Sequence, residues 1–186
     1  METYQEIYYK IRKLILPIDL ILRSIPDNSN ILDLGCGKGI LVKQLQNYNN
    51  YVGVDINIYD KKINNKLKFI KENCSNFIKK DLTEYNIFVL IDLLHHIDKD
   101  EQYKLVYTLA RKMKKGDTLI IKDMSSRNII YKYWNLLHDL IISKQIINYV
   151  DFDDIISNLE IKNFKIEKFY KKIFLYDHIF LILKKV

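Results

Sequence analysis

A chain of 186 residues, 48% apolar and 28% charged, is long enough for one ordinary domain and too apolar to be intrinsically disordered. Only 2 Pro and 5 Gly occur, which excludes long flexible linkers. The net charge of +7 invites a nucleic-acid partner, but Arg stands only at Arg12, Arg23, Arg111 and Arg127. Arg makes most of the bidentate contacts that read bases, so a solvated lysine-rich surface is the simpler account and nucleic acid is not favoured.

Residues 3–25 read as helical, with Ile7, Leu14, Ile18 and Ile21 at roughly helical spacing and Pro17 dividing two short helices. This N-terminal stretch mixes acids and bases and carries no cleavage site, so it is not a signal peptide. Asn30–Leu34 is a short apolar strand stopped by glycines, and residues 38–47 resume a helical pattern. Tyr51–Asp55, Lys66–Glu72, Ile87–Asp92 and Thr118–Asp123 are further strands, with a helix over residues 99–114. Helices follow at 127–148 and 151–159. Phe164–Tyr170 and Ile173–Leu183 then form a hairpin with its turn at Lys171-Lys172. Apolar strands alternating with helices predict an α/β fold: a doubly wound, mostly parallel sheet covered on both faces, closed by an antiparallel C-terminal hairpin.

No run approaches the ~18 apolar residues of a spanning helix, so no membrane span is expected. Cys36 and Cys74 have no paired spacing, which points to neither a disulfide framework nor a zinc site. A cytoplasmic setting without a metal is the default.

Three of the five glycines fall between Gly35 and Gly39. They follow an apolar strand in Ile31-Leu32-Asp33-Leu34-Gly35-Cys36-Gly37-Lys38-Gly39. A strand ending in glycines makes a ligand loop at the carboxyl edge of a sheet, where backbone without side chains can lie against a ligand. The helix expected after it would offer free N–H groups. The ligand is not a dinucleotide by this pattern, because a G-x-G-x-x-G fingerprint starting at Gly35 needs glycine where Ile40 stands. Cys36 is read as a small side chain tolerated in a tight turn.

The run Asp33-x-Gly35-x-Gly37-x-Gly39 resembles the first motif of class I S-adenosylmethionine-dependent methyltransferases, and further motifs follow in order over roughly residues 30–125. Asp55 stands 20 residues after Gly35, where that family keeps an acid for the ribose hydroxyls, and Ile56 follows it. Glu72-Asn73-Cys74 resembles the segment around the adenine, with Asn73 in place of the usual Asp. Ile91-Asp92-Leu93-Leu94-His95-His96 resembles the fourth motif, beside the methionine end of the cofactor. Lys115-Gly116-Asp117 resembles the approach to the fifth strand. The resemblance implies a Rossmann-like, seven-stranded sheet, S-adenosylmethionine as cofactor and S-adenosylhomocysteine as product. It places Asp33, Gly35, Cys36, Gly37, Asp55, Ile56, Asn73, Cys74, Ile91 and Asp92 around the cofactor. It also implies a single domain over 1–186: a helical cap at 1–28, a cofactor-binding core at 29–125, and acceptor-side helices with the closing hairpin at 126–186.

Methyl transfer is an in-line displacement from an electrophilic sulfonium, so the protein mainly aligns the reactants and needs a base only where the acceptor must lose a proton. An imidazole titrates near neutral pH and suits that task. His95 and His96 lie at the mouth of the site, and His138 sits on a helix with Tyr131, Trp134 and Asn135, so these three histidines are the catalytic candidates. Structural roles for all three, and simple packing for Trp134, remain open, as they do for Tyr4, Tyr8 and Tyr9 at the N-terminus. Asp92-Leu93-Leu94-His95-His96 resembles the branch of the family that acts on small molecules and lipids. A small or lipid-like acceptor is therefore the reading, beside two alternatives: an RNA methyltransferase using the lysine surface, and a non-catalytic cofactor-binding regulatory subunit.

Overall fold

A computed structural model describes residues 14–58, 60–125, 127 and 148–186. In chain order the described elements are α1 (Ile18–Leu22), β1 (Ser29–Leu34), β2 (Tyr48–Asp55), β3 (Lys61–Lys62), β4 (Leu67–Lys71), α2 (Cys74–Phe77), β5 (Ile87–Ile91), α3 (Lys99–Lys112), β6 (Thr118–Met124), α4 (Phe152–Asn158), β7 (Phe164–Ile173) and β8 (Tyr176–Lys185). The expected helix at 127–148, with Tyr131, Trp134, Asn135 and His138, lies almost wholly outside the described residues, as do Tyr4, Tyr8 and Tyr9.

The strands form one sheet in the order β3-β4-β2-β1-β5-β6-β8-β7. From β4 to β6 the pairings are parallel; β3 on β4, β8 on β6 and β7 on β8 are antiparallel. The doubly wound fold with its closing hairpin is thus as expected, with eight strands rather than seven. The additional strand is Lys61–Lys62, two exposed lysines at the sheet edge, and so short and polar a strand leaves no apolar pattern to read. From β1 the chain steps outward to β2 and β4 on one side, then returns to lay β5 and β6 on the other. This reversal opens a crevice beyond the carboxyl ends of β1 and β5, where open α/β sheets take their ligands.

β1, β5 and β6 are buried almost throughout, as strands covered on both faces must be. On one face Leu32, Leu34, Phe88 and Leu90 pack with Leu105, Val106 and Leu109 of α3 and with Phe152 and Ile155 of α4. On the other, Ile31, Tyr51, Val89 and Ile91 pack with Ile18 and Ile21 of α1 and with Leu41 and Val42. Helix α3 carries Asp100 and Glu101 in its first turn and Arg111 and Lys112 in its last, charges that complement the helix dipole. Helix α4 begins at Asp151, whose carboxylate accepts the N–H groups of Asp153 and Asp154 at 3.1 and 3.0 Å.

Two local expectations are corrected. Residues 38–47 form no regular helix; turns run from Gly37 to Gln44. Gly39 at φ +70° stands at the start of the segment, outside the helical region, and backbone bonds such as Gln44 N–H to Leu41 O, 2.9 Å, close short turns instead. The last hairpin turns at Phe174-Leu175, not at Lys171-Lys172, because Ile173 pairs directly with Tyr176. Phe174 takes φ +51°, a conformation rare for an aromatic residue, and its side chain is exposed. Among the described residues no helix is long and apolar enough to cross a membrane.

Candidate cofactor and methyl-transfer site

The glycine loop folds back over β2. The N–H groups of Gly35 and Cys36 both donate to Val54 O, at 2.8 and 3.2 Å, and Gly39 N–H donates to Cys36 O at 2.9 Å. Gly35, Gly37 and Gly39 all sit at positive φ, which is why glycine recurs there. The three differ in what surrounds them. An added Cβ would lie 2.8 Å from the Leu93 side chain at Gly35 and 2.9 Å from the Phe69 ring at Gly39, whereas at Gly37 it would meet nothing within 4 Å. Gly37 therefore borders open space at the carboxyl edge, on the side from which a ligand would approach bare backbone.

Asp55 ends β2 and closes on this loop. Its carboxylate accepts the Gly37 N–H at 3.0 Å and the Asn57 N–H at 2.7 Å. A carboxylate has about four acceptor sites, so two remain for other donors. Ile56, next in sequence, is 55% exposed and offers an apolar plate beside that carboxylate. Asn73 caps α2, its side-chain oxygen accepting Ser75 N–H at 2.8 Å, which leaves one lone pair on that oxygen. Cys74 follows, half-buried, its thiol toward Val54 O. Burial pushes the pKa of this thiol up to about 12 and raises that of the Cys36 thiol as well, so neither thiol is poised as a nucleophile.

Asp33 lies beneath the loop rather than in the opening. It is 2% exposed and accepts a hydrogen bond from the Tyr51 hydroxyl, so it can act on a ligand only through the backbone above it. Tyr51 was not singled out by the sequence, where it reads only as one aromatic residue of β2. Burial raises the Asp33 carboxyl to about pKa 7; the Tyr51 hydrogen bond opposes this and the charge of Asp55 adds to it. The sign follows from linkage. The folded state keeps a proton that an unfolded chain releases above the ordinary pKa of 3.8, so stability falls as pH rises from about 4 to about 7. Asp33→Asn cannot titrate and is expected to flatten that decline, gaining roughly 3 kcal/mol on wild type between pH 5 and pH 8. Urea unfolding of both proteins at the two pH values measures it, and parallel pH profiles would show that Asp33 is ionised when buried.

Across the crevice, Ile91 ends β5 and Asp92 follows at φ +50°. Asp92 forms an ion pair with Lys122 of β6, which is 1% exposed. On the opposite sheet face, His95 is also 1% exposed, its Nδ1 2.5 Å from Asp123 Oδ1. The other oxygen of Asp123 accepts the N–H groups of Leu94 and His95 at 3.0 and 3.3 Å. Buried Gln102 adds a clamp, its amide nitrogen reaching the carbonyls of Leu94, Ile97 and Asn148. His96, one residue on, is exposed, with its ring centroid 4.0 Å from that of His95. His138 lies outside the described residues. Asp92, His95 and Asp123 also bring donor atoms within 4.8 Å of one another, but Lys122 already sets a cation on Asp92. In the sequence Lys122 and Asp123 read only as the end of an apolar strand; two charges closing that strand are the signal that could have found them.

Comparison with known proteins identifies the family. A family model described as a methyltransferase domain matches residues 4–168. The chain belongs to this methyltransferase family. The reaction class and cofactor that the motifs imply, methyl transfer from S-adenosylmethionine, stand with that membership. No curated protein matches the sequence. Among solved structures, the chain resembles a SAM-dependent methyltransferase from Archaeoglobus fulgidus, at 16% identity and TM-score 0.70, over 98% of this chain and 100% of that one. It also resembles magnesium protoporphyrin IX methyltransferase from Synechocystis with bound S-adenosylhomocysteine, at 14% identity and TM-score 0.68, over 100% and 89%. A third is 1,6-didemethyltoxoflavin-N1-methyltransferase from Burkholderia thailandensis, at 10% identity and TM-score 0.66, over 96% and 81%. At such identities the likeness to these structures is one of fold.

Proposed function

We propose that this methyltransferase passes the methyl group of S-adenosylmethionine to a small or lipid-like acceptor at the crevice between β1 and β5, in a cytoplasmic setting. The observation that carries the reading is the closure of the Asp55 carboxylate on Gly37 beside open space. In this assignment Asp55 takes the ribose hydroxyls, Ile56, Asn73 and Cys74 surround the adenine, and Ile91 and Asp92 border the methionine end. Asp33 and Cys36 hold the loop from below. Residues 29–125 carry the cofactor, residues 1–28 cap it, and residues 126–186 supply the acceptor side. Support for a small acceptor comes from relatives of the same fold that act on a porphyrin and a toxoflavin precursor, and from the Asp92–His96 motif. Titration calorimetry with S-adenosylmethionine and S-adenosylhomocysteine, with NAD as control, tests the assignment; tight NAD binding without either S-adenosyl ligand would overturn it.

When bound, the cofactor supplies an electrophilic methyl group; the chain's own part is to hold it in line with an acceptor and keep water away. A base enters only for an acceptor that must lose a proton, and the two adjacent imidazoles are placed differently for that task. His95 is buried and fixed by Asp123, which suits it to shaping the 94–97 turn, while His96 is exposed and is the imidazole assigned to the acceptor. The acceptor pocket is assigned to the space between these residues and the helix expected to carry Trp134 and His138. His96→Asn should then lower turnover at least tenfold while cofactor affinity and melting temperature hold. His95→Asn should lower the melting temperature, with activity falling in step. The reverse pattern would make His95 the base.

A further inference from the structure

The hairpin that closes the sheet ends in a tip that breaks two local rules at once. Ile173 of β7 pairs directly with Tyr176 of β8, so the loop is Phe174-Leu175 alone. A two-residue loop with positive φ at its first position asks for glycine there and a polar residue after it. Phe174 stands at that position instead, at φ +51°. Water disfavours the pair as well, since Phe174 is 72% and Leu175 46% exposed. The other large exposed apolar side chains among the described residues, Leu14, Ile56, Ile63 and Val186, stand singly in the sequence, and scattered ones need no account. A place where local rules fail together is where a function is to be sought.

The register sets where the tip points. β8 runs antiparallel to β6, with His178 beside Met124, the last residue of β6. Tyr176 and the tip therefore lie past the carboxyl end of β6, on the sheet edge that holds the crevice. Exposed Lys171 and Lys172 lead into the tip. From Lys168 to His178 the charged residues of the hairpin are Lys168, Lys171, Lys172 and Asp177. Asp153 meets Lys168 at 2.5 Å, and Arg127 meets Asp177 at 3.4 Å. With these partners included, four cations stand against two carboxylates. We propose that the Phe174-Leu175 tip docks on an anionic lipid surface, its two apolar side chains entering the headgroup boundary and Lys171 and Lys172 facing the lipid charge. A protein partner suits the tip less well. A stable interface covers about 800 Å² on each side, far more than a convex tip of two side chains presents, whereas a fluid lipid surface needs no matching groove. Docking needs the tip alone; that it turns the crevice toward a lipid-like acceptor rests on the function proposed above.

The test is co-sedimentation of the full chain, without cofactor or acceptor, with vesicles of phosphatidylcholine and of an equal mixture of phosphatidylcholine and phosphatidylglycerol. The chain should bind the mixed vesicles, bind the neutral ones about tenfold more weakly, and lose affinity as salt rises. Phe174→Gly with Leu175→Asn installs the residues the turn asks for, so the melting temperature should hold or rise while vesicle binding falls about tenfold. Lys171→Gln with Lys172→Gln should weaken binding and flatten its salt dependence. Binding to neither vesicle overturns the inference. So does binding that the Phe174→Gly, Leu175→Asn protein keeps in full, which would assign it to the lysine surface alone. A dimer in solution that this variant dissolves, with no vesicle binding, would make the tip a contact between copies of the chain and overturn the inference equally. Because no ligand is present, this outcome is independent of the cofactor titration, and failure of docking is told apart from failure of the methyl-transfer assignment.

Discussion

Asp55→Ala should weaken binding of S-adenosylhomocysteine by at least tenfold and leave the fold standing. Hydrogen bonds to a charged group contribute about 1.5–3 kcal/mol each, and one carboxylate facing two ribose hydroxyls stands to lose two of them. The same substitution removes the acceptor for Gly37 N–H, so the loop loses a tie that helps hold it over β2. Both losses act on ligand affinity. Neither opens a cavity in the core, because Asp55 is only half-buried at the end of its strand. Calorimetric titration with a parallel thermal melt separates the two quantities. An unchanged dissociation constant would place the cofactor elsewhere.

Gly37→Val should abolish cofactor binding in a protein that still folds. A Cβ at Gly37 meets nothing, so the new side chain projects into the open space beside Asp55 instead of into the core. The cost to stability is that of a β-branched residue at φ +49°, about 1–2 kcal/mol. The cost to binding is steric, expected to exceed a hundredfold. Gly53→Ala makes the contrast. Its new carbon would lie 2.7 Å from Cys36 Sγ and 2.8 Å from the Phe69 ring, so it should lower the melting temperature by overpacking, at about 1–3 kcal/mol. A Gly37→Val protein that binds normally would mean that the open space is not the ligand's.

How far the sequence announced these features depended on how local each one was. β1 and β5 are legible because apolar runs stopped by glycine or acid need no distant partner to be recognised. The glycine loop and Asp55 belong to one strand–loop–strand unit, and the resemblance to the family's motifs is what joined them in the sequence. The last hairpin was legible as two strands but not in its turn, because Phe174-Leu175 carries none of the Asn, Asp or Gly chemistry that marks two-residue turns. The helix after the loop was wrongly expected because Ile40, Leu41 and Leu45 have helical spacing, while the backbone conformation at Gly39 is not written in hydropathy. The buried polar pairs were least accessible. Asp123 and His95 lie 28 residues apart and Asp92 and Lys122 30 apart, and only the parallel register of β5 on β6 makes them neighbours.

The turns that replace a helix after Gly37 bear on which ligands the loop can discriminate. A helix starting there would aim a stack of aligned peptide dipoles at the crevice, equivalent to roughly half a positive charge, and would attract phosphate. Short turns provide no such stack, and the side chain that closes on the loop is a carboxylate. A loop without that stack is expected to hold a pyrophosphate weakly, which titration with NAD would show as weak or absent binding.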